Sequence, residues 1–440
     1  RGDLFLWHLK WLSHLGDPTS YDGPLAGTEK QFPDSYQVAK LTDVDHGSIY
    51  HSVNLSSLLA GHIDLSRVSI SGHSKGGEAT LYAHALNSGA VAHLPSDIDP
   101  QLEQPFGIIA VSAITPSSML HPENIPFIPV DLTGLPYFGI AAASDCDIKC
   151  CGPIQSYNFL PDDCTKSGVY VWGANHNWFN TVWAADDEYP DGDDCPQAQP
   201  RAHKLSRDQQ RRLGEVYISA FTRANLLGDG SFNALMRGEV SFPSLDGMIG
   251  FNLYHDVYHI KVEDGLGYVN FSPGGIFVDS LLYEVPSDKD EMSSNLGLDE
   301  AVLRVGWMGS DWVGPSYIEF AGPWNLTTLD VLSFRASWTD VMSWSQAGNP
   351  AAYQWLSVEL VSGTRSSTVD VASYGGIPKP YPHPQYPADD PFNVMTTVRI
   401  PLGAFLLESE IDLGHVDFLR LRFAYPAQGE IYLDDVEFSR

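Results

Sequence analysis

The sequence is short of positive charge. Lysine and arginine number 25 against 55 aspartates and glutamates, a formal net charge of -30 over 440 residues. Binding to nucleic acid is driven by neutralising phosphates, so a surface this acidic argues against such a partner. The chain also lacks any apolar run of the ~18 residues that a membrane-spanning helix needs, and no membrane span is expected. Its apolar stretches, Phe106 to Ile114 and Tyr137 to Ala143, have the length of buried strands. Cysteine is scarce: of five, Cys146, Cys150, Cys151 and Cys164 lie close together and Cys195 stands apart. They do not form paired C-x-x-C spacings with interleaved histidines, which disfavours a thiolate zinc site. Local disulfides in an oxidising compartment are the better expectation. Ahead of the apolar segment at 4–12 there is no basic leader with a small-residue cleavage site, so an exported protein would be read here in processed form.

The texture of the chain divides it in two. Residues 1–240 alternate strand-like and helix-like segments, with strands read at 68–71, 106–113, 137–143 and 168–172 and helices at 77–87 and 206–226. Ser206 is read as a helix N-cap, and Leu213, Val216, Tyr217, Ala220 and Phe221 as the buried stripe that follows it. Such alternation predicts a mostly parallel sheet covered on both faces. In residues 241–440 the helical period gives way to short alternating segments punctuated by glycine and proline, the pattern of a β-sandwich of jelly-roll type. No low-complexity linker separates the two parts, and they are expected to pack together.

The sharpest local signal is Gly72-His73-Ser74-Lys75-Gly76 between a strand and a helix. Small residues at Gly72 and Gly76 suit a strained turn that raises a serine over the sheet, which makes Ser74 the candidate nucleophile and the Lys75 N–H a candidate oxyanion donor. Chain order then predicts an acid and a histidine at later strand ends. Asp145 leaves the strand at 137–143, with Asp147 on the same loop as the alternative acid, and His176 sits in the turn after 168–172. Trp178, Phe179 and Trp183 crowd His176 and are candidates either for core or for the wall of an apolar pocket. Six acids within 186–194 read either as a solvated loop or as a calcium clamp.

With these motifs in view, residues 60–235 resemble bacterial α/β-hydrolases whose elbow reads G-H-S-[RK]-G-G-E, the branch near the cutinase-like, chlorophyllase-like and polyester-hydrolase enzymes. The resemblance implies a secreted or periplasmic bacterial serine esterase that forms an acyl-enzyme on a hydrophobic or polymeric ester and needs no cofactor for catalysis. An amidase or peptidase would use the same residues. Such domains place several strands before the nucleophile, and the 73 residues ahead of Ser74 show few, so further N-terminal polypeptide is expected to complete the sheet. The closing run Gly429 to Phe438 resembles galactose-binding-like jelly-roll modules, which implies a structural calcium at Asp434 or Asp435. The reading of a different class is a glycan- or polymer-binding protein with an inactive hydrolase domain, with Trp307, Trp312, Trp324 and Tyr381 as stacking residues.

Overall fold

The computed structural model describes residues 6, 9, 12, 35–39, 50–54, 59, 61–89, 106–116, 134–148, 152–183, 185, 204–248, 250–263, 270–271, 276–283, 300–307, 316–339, 356–378, 394–423 and 428–440. Strands β1 (Ser35–Ala39) and β2 (Tyr50–Asn54) form an antiparallel pair of their own. The N-terminal sheet runs, in spatial order, β3 (Val68–His73), β4 (Ile108–Ile114), β5 (Tyr137–Ala142), β6 (Lys166–Val171) and β7 (Gly250–His255). Its first four strands are parallel, and β7 joins β6 antiparallel. Helices α1 (Lys75–Ser88), α2 (Gly152–Phe159) and α3 (Arg207–Leu226) follow β3, β5 and β6.

Every residue of β5 and β6 is buried, as expected of parallel strands covered on both faces. On one face α3 lays Leu213, Tyr217, Ala220 and Phe221 against the sheet, with Tyr217 and Phe221 stacked on Phe138 at 5.6 and 5.7 Å. Its start is the expected cap made reciprocal: Ser206 Oγ accepts from the Gln209 N–H, and the Gln209 side chain accepts from the Ser206 N–H. Leu6 and Leu9 are helical and buried in the cluster that contains Ile70 and Leu81. β3 is the edge of this sheet among the described residues.

The second part is a sandwich of two antiparallel sheets. One orders β10 (Ile276–Tyr283), β11 (Glu300–Trp307), β18 (Gly429–Ser439), β13 (Val331–Trp338) and β16 (Thr396–Pro401), with β8 (His259–Glu263) also on β18. The other orders β15 (Arg365–Asp370), β14 (Leu356–Ser362), β17 (Val416–Phe423), β12 (Ser316–Trp324) and β9 (Asn270–Phe271). Alternate residues of both, among them Phe334, Leu433, Phe438, Ile318, Leu360 and Leu421, interleave in one core. The chain passes from the α/β sheet to the sandwich at 256–258, beyond the 240/241 division read from sequence texture.

The junction between the two parts is set by a bulge. Ser333 pairs with Glu437 and Arg335 with Asp434, so two steps along β13 meet three along β18, and Asp435 takes the extra place with φ 45°. The inward set changes phase there, from Ile431 and Leu433 to Val436 and Phe438. Asp434, Asp435 and Glu437 are therefore turned away from the sandwich core. Arg335, only 2% exposed, lies against the first two, with Nη1 3.1 Å from Asp435 and 3.7 Å from Asp434. Its Nη2 donates to Asn158 Oδ1 on α2 at 2.9 Å, and its guanidinium lies 5.2 Å from the centre of the Tyr157 ring. Beside this seam, Thr397 Oγ1 accepts from the Tyr254 N–H and Arg399 pairs with Glu239.

Burial works most strongly against a charged Asp435, and the Arg335 guanidinium together with Lys166 and His255 outweighs it, so the carboxyl is held below its usual range. The stability it contributes is present above the ordinary carboxylate pKa and is lost as the pH falls through the depressed one. Arg335→Met, which removes the guanidinium that two buried carboxylates share, is expected to cost about 3–5 kcal/mol at neutral pH. The gap to the wild type should narrow below pH about 4, where free carboxyls take up protons. Urea unfolding followed by tryptophan fluorescence across that range measures both effects.

Candidate functional site

Ser74 caps the N-terminus of α1 with φ 57° and ψ −132°, a strained conformation for a residue with a side chain. The close approach behind it falls on Gly72, where a Cβ would run into the Gly76 carbonyl, and on Gly77, where it would lie 3.0 Å from Pro116. Gly76, expected to be crowded, faces open space. The turn is held by the Ser74 N–H donating to the Ile114 carbonyl at 3.0 Å and the Gly77 N–H donating to the Ser74 carbonyl at 2.8 Å. Ser74 is half-buried and Lys75 exposed.

Asp145 and His176 meet at the ends of β5 and β6. The Ser144 N–H donates to the Ala174 carbonyl at 2.8 Å, which ties the two loops together. Asp145 Oδ1 accepts from the N–H groups of Asp147 and Ile148 at 3.1 and 2.9 Å, leaving Oδ2 2.8 Å from His176 Nδ1. Gln210 pins the histidine loop to α3: its Oε1 accepts from the Asn175 N–H, and its Nε2 donates to the Asn175 carbonyl at 2.6 Å. This buried glutamine escaped sequence reasoning, and its only trace there is a polar residue on the apolar stripe of an amphipathic helix.

The other face of His176 differs from expectation. His176 has no exposed surface, and its Nε2 lies 3.3 Å from Asp147 Oδ2, so a carboxylate flanks each ring nitrogen. Among the described residues no hydrogen bond joins the ring to the Ser74 hydroxyl. The expected Ser74–His176–Asp145 relay is corrected on this finding, and with it the serine esterase, its acyl-enzyme and the amidase variant. The structure brings together Asp145, Asp147 and His176, and Ser74 stays outside their hydrogen bonds.

The expected pocket wall also divides. Trp183, 43% exposed, stacks on His176 at 6.0 Å and lies 5.4 Å from His73, covering the histidines. Phe179 packs toward Gly214 of α3, and Trp178 lies under Lys204. The expectation of local disulfides is corrected at Cys164, a free thiol pushed up to about 11 by burial, while Cys146 is disulfide-bonded. Cys150, Cys151, Cys195 and the acidic run 186–194 lie outside the described residues.

A second arrangement lies on the outward face of the sandwich sheet built from β15, β14, β17 and β12. Register sets Glu319, Arg420, Glu359 and Thr368 in one row across these strands, with Tyr317, Arg422 and Ser357 in the next row on the same face. Arg420 pairs with Glu319 at 2.6 Å and with Glu359 at 3.3 Å, and Arg422 reaches Glu359 at 3.3 Å. The Arg420 guanidinium lies 4.9 Å from the Tyr317 ring and 5.5 Å from the Phe418 ring. Of the aromatics expected to stack on a ligand, Trp307 is instead in the core against Phe423, and Trp324 packs on Phe438. Trp312 and Tyr381 lie outside the described residues. Tyr317 and Phe418 were legible only as the outward members of alternating strands.

Among the described residues, one group of metal-type ligands occurs, His255, His259 and Glu437, away from His176 and on the sandwich junction. No helix of the described residues is long and apolar enough to cross a membrane.

No family model and no curated protein matches the chain. Solved structures similar to it include the family 11 carbohydrate-binding module of a cellulosomal cellulase of Clostridium thermocellum, at 12% identity over 41% of this chain and 94% of that one, TM-score 0.25. A family 30 carbohydrate-binding module of a cellulosomal cellulase from the same organism aligns at 14% identity over 41% of this chain and 91% of that one, TM-score 0.25. At these scores the likeness carries no functional argument.

His73 donates from Nε2 to the His176 carbonyl at 2.9 Å, and burial followed by the neighbouring His176 lowers its pKa to about 4. Between about 4 and the ordinary histidine value near 6.5 the unfolded chain binds a proton that the native chain does not, so stability rises with pH across that window. The His73 ring resonance is expected to titrate at the lower value by NMR. His73→Asn should flatten the stability profile between the two.

Proposed function

We propose that the protein is a glycan-binding protein of an oxidising, extracellular or periplasmic setting in bacteria, and that its hydrolase-like α/β part does not hydrolyse esters. The observation that carries the reading is the outward face around Arg420. An antiparallel sheet with one face in the core needs only ordinary polar residues on the other. Here that face gathers two aromatic rings, two guanidinium groups and two carboxylates in adjacent rows, with Glu359 only 6% exposed. Rings of this kind offer an apolar surface to the C–H face of a sugar, and guanidinium and carboxylate groups give paired donors and acceptors for neighbouring hydroxyls. Four strands spaced about 4.8 Å apart make a platform on the order of 14 Å wide, suited to several sugar rings rather than a single one. The compartment is supported by the Cys146 disulfide.

Soluble polysaccharides cast into native gels test the reading. At least one is expected to retard the wild type, and Tyr317→Ala with Phe418→Ala to weaken the interaction roughly 30-fold, at about 1 kcal/mol per ring. Retardation by none of a broad panel overturns the binding. Rapid fluorophosphonate labelling of the wild type that disappears in Ser74→Ala overturns the inactive α/β part.

A further inference from the structure

Three ligand-type side chains meet where the chain crosses between the sheets. His255 ends β7, His259 begins β8 and Glu437 lies on β18, and their donor atoms fall within 4.8 Å of one another. His255 and Glu437 are each 2% exposed, whereas His259 is half-exposed and leaves the group reachable from solvent.

The protons on the two rings are fixed by what each ring touches. His255 Nε2 lies 2.9 Å from the Asp162 carbonyl oxygen, and His259 Nδ1 lies 2.9 Å from the Asp256 carbonyl oxygen. A carbonyl only accepts, so each of these nitrogens carries the hydrogen, and in the neutral rings the lone pairs sit on His255 Nδ1 and His259 Nε2. His255 Nδ1 then faces Glu437 Oε2 at 3.2 Å in a buried setting, a contact that needs a positive charge between the two lone pairs, either a second proton on the ring or a metal ion. The other oxygen, Glu437 Oε1, accepts from Ser333 Oγ at 3.2 Å.

We infer that His255 Nδ1, His259 Nε2 and the Glu437 carboxylate form a site for a divalent transition-metal ion, with zinc the class that fits. Two imidazoles and one carboxylate are borderline ligands that suit zinc and disfavour calcium or magnesium, which take oxygen. Each histidine already donates its remote N–H to a backbone carbonyl and the carboxylate is held by a hydroxyl, the outer arrangement that orients metal ligands. Tetrahedral zinc holds such donors ~3.3 Å apart, so loading contracts the group by up to about 1.5 Å. The ion would clamp β7 of the α/β sheet to β8 and β18 of the sandwich. The inference does not rest on glycan binding.

The test uses the full chain, stripped with chelator and titrated with Zn2+ alone by calorimetry. The wild type is expected to bind one equivalent with a rise in unfolding temperature, and Co2+ in its place to give the visible absorption of a four-coordinate ion. His259→Ala removes a half-exposed ligand and should keep the far-ultraviolet circular dichroism while losing that equivalent. Ser333→Ala should weaken it about 10-fold. Failure of the wild type to bind Zn2+ at about 100-fold the micromolar affinity of an ordinary adventitious site means that a second proton on His255 holds the pair, and overturns the inference. Undiminished binding by His259→Ala, an adventitious ion only, overturns it equally. Polysaccharide retardation unchanged by Zn2+ or by His259→Ala leaves the glycan reading separate from either result.

Discussion

The architecture depends on how one sheet face is neutralised. The sandwich sheet containing β13 and β18 is apolar on its inner side, and on its outer side it carries Arg335, Asp434, Asp435 and Glu437. These charges are covered rather than solvated. Buried charges are tolerated only when each meets a partner, and here Arg335 meets Asp434 and Asp435 within the sandwich and Asn158 and Tyr157 across the junction. The same group of contacts that satisfies the arginine therefore sets α2 against β13. Hydrogen bonds from β7 to β16 continue the seam, and an apolar cluster of Tyr170, Phe251, Leu253, Val302, Val394 and Met395 closes beneath it.

The bulge at Asp435 makes this possible. Without the extra residue, a strict alternation that buries Ile431 and Leu433 would bury Asp435 and Glu437 in the sandwich core and turn Val436 and Phe438 out of it. One residue in a left-handed conformation corrects the phase, and it places Glu437 beside His255. The ligand-type cluster and the interdomain seam are two results of a single local irregularity.

The α/β part shows how far a motif stands from an activity. The strained Ser74 turn, the packing at Gly72 and the Asp145–His176 pair are all formed. What differs is the second carboxylate: Asp147 lies against the nitrogen that a serine would use, and Trp183 covers the ring. A proton relay needs a particular contact at each of its atoms, and motif order along a chain carries no information about the last of them.

Much of the fold was legible in the residues alone, wherever the signal is local. The continuous apolar runs of β4 and β5, the turn that carries Ser74 and the Ser206 cap of α3 are settled within a few positions, so they were read nearly at their observed bounds. β15 was missed because Arg365-Ser-Ser-Thr lies at a sheet edge and buries too little to show a pattern, and the helix at Leu402–Glu408 was missed because it is short and follows a proline. β7 was read with the sandwich because its partner, β6, lies some 80 residues earlier, and pairing at that distance leaves no trace in the strand itself. The same limit applies to function. The sequence by itself determined the α/β and all-β halves, the strained serine turn and the strand ends that carry Asp145 and His176. Only the tertiary structure decided that Asp147 faces His176, that Trp307 is core while Tyr317 and Phe418 share a face with Arg420, and that His255, His259 and Glu437 converge, because each depends on which segments distant in the chain become neighbours.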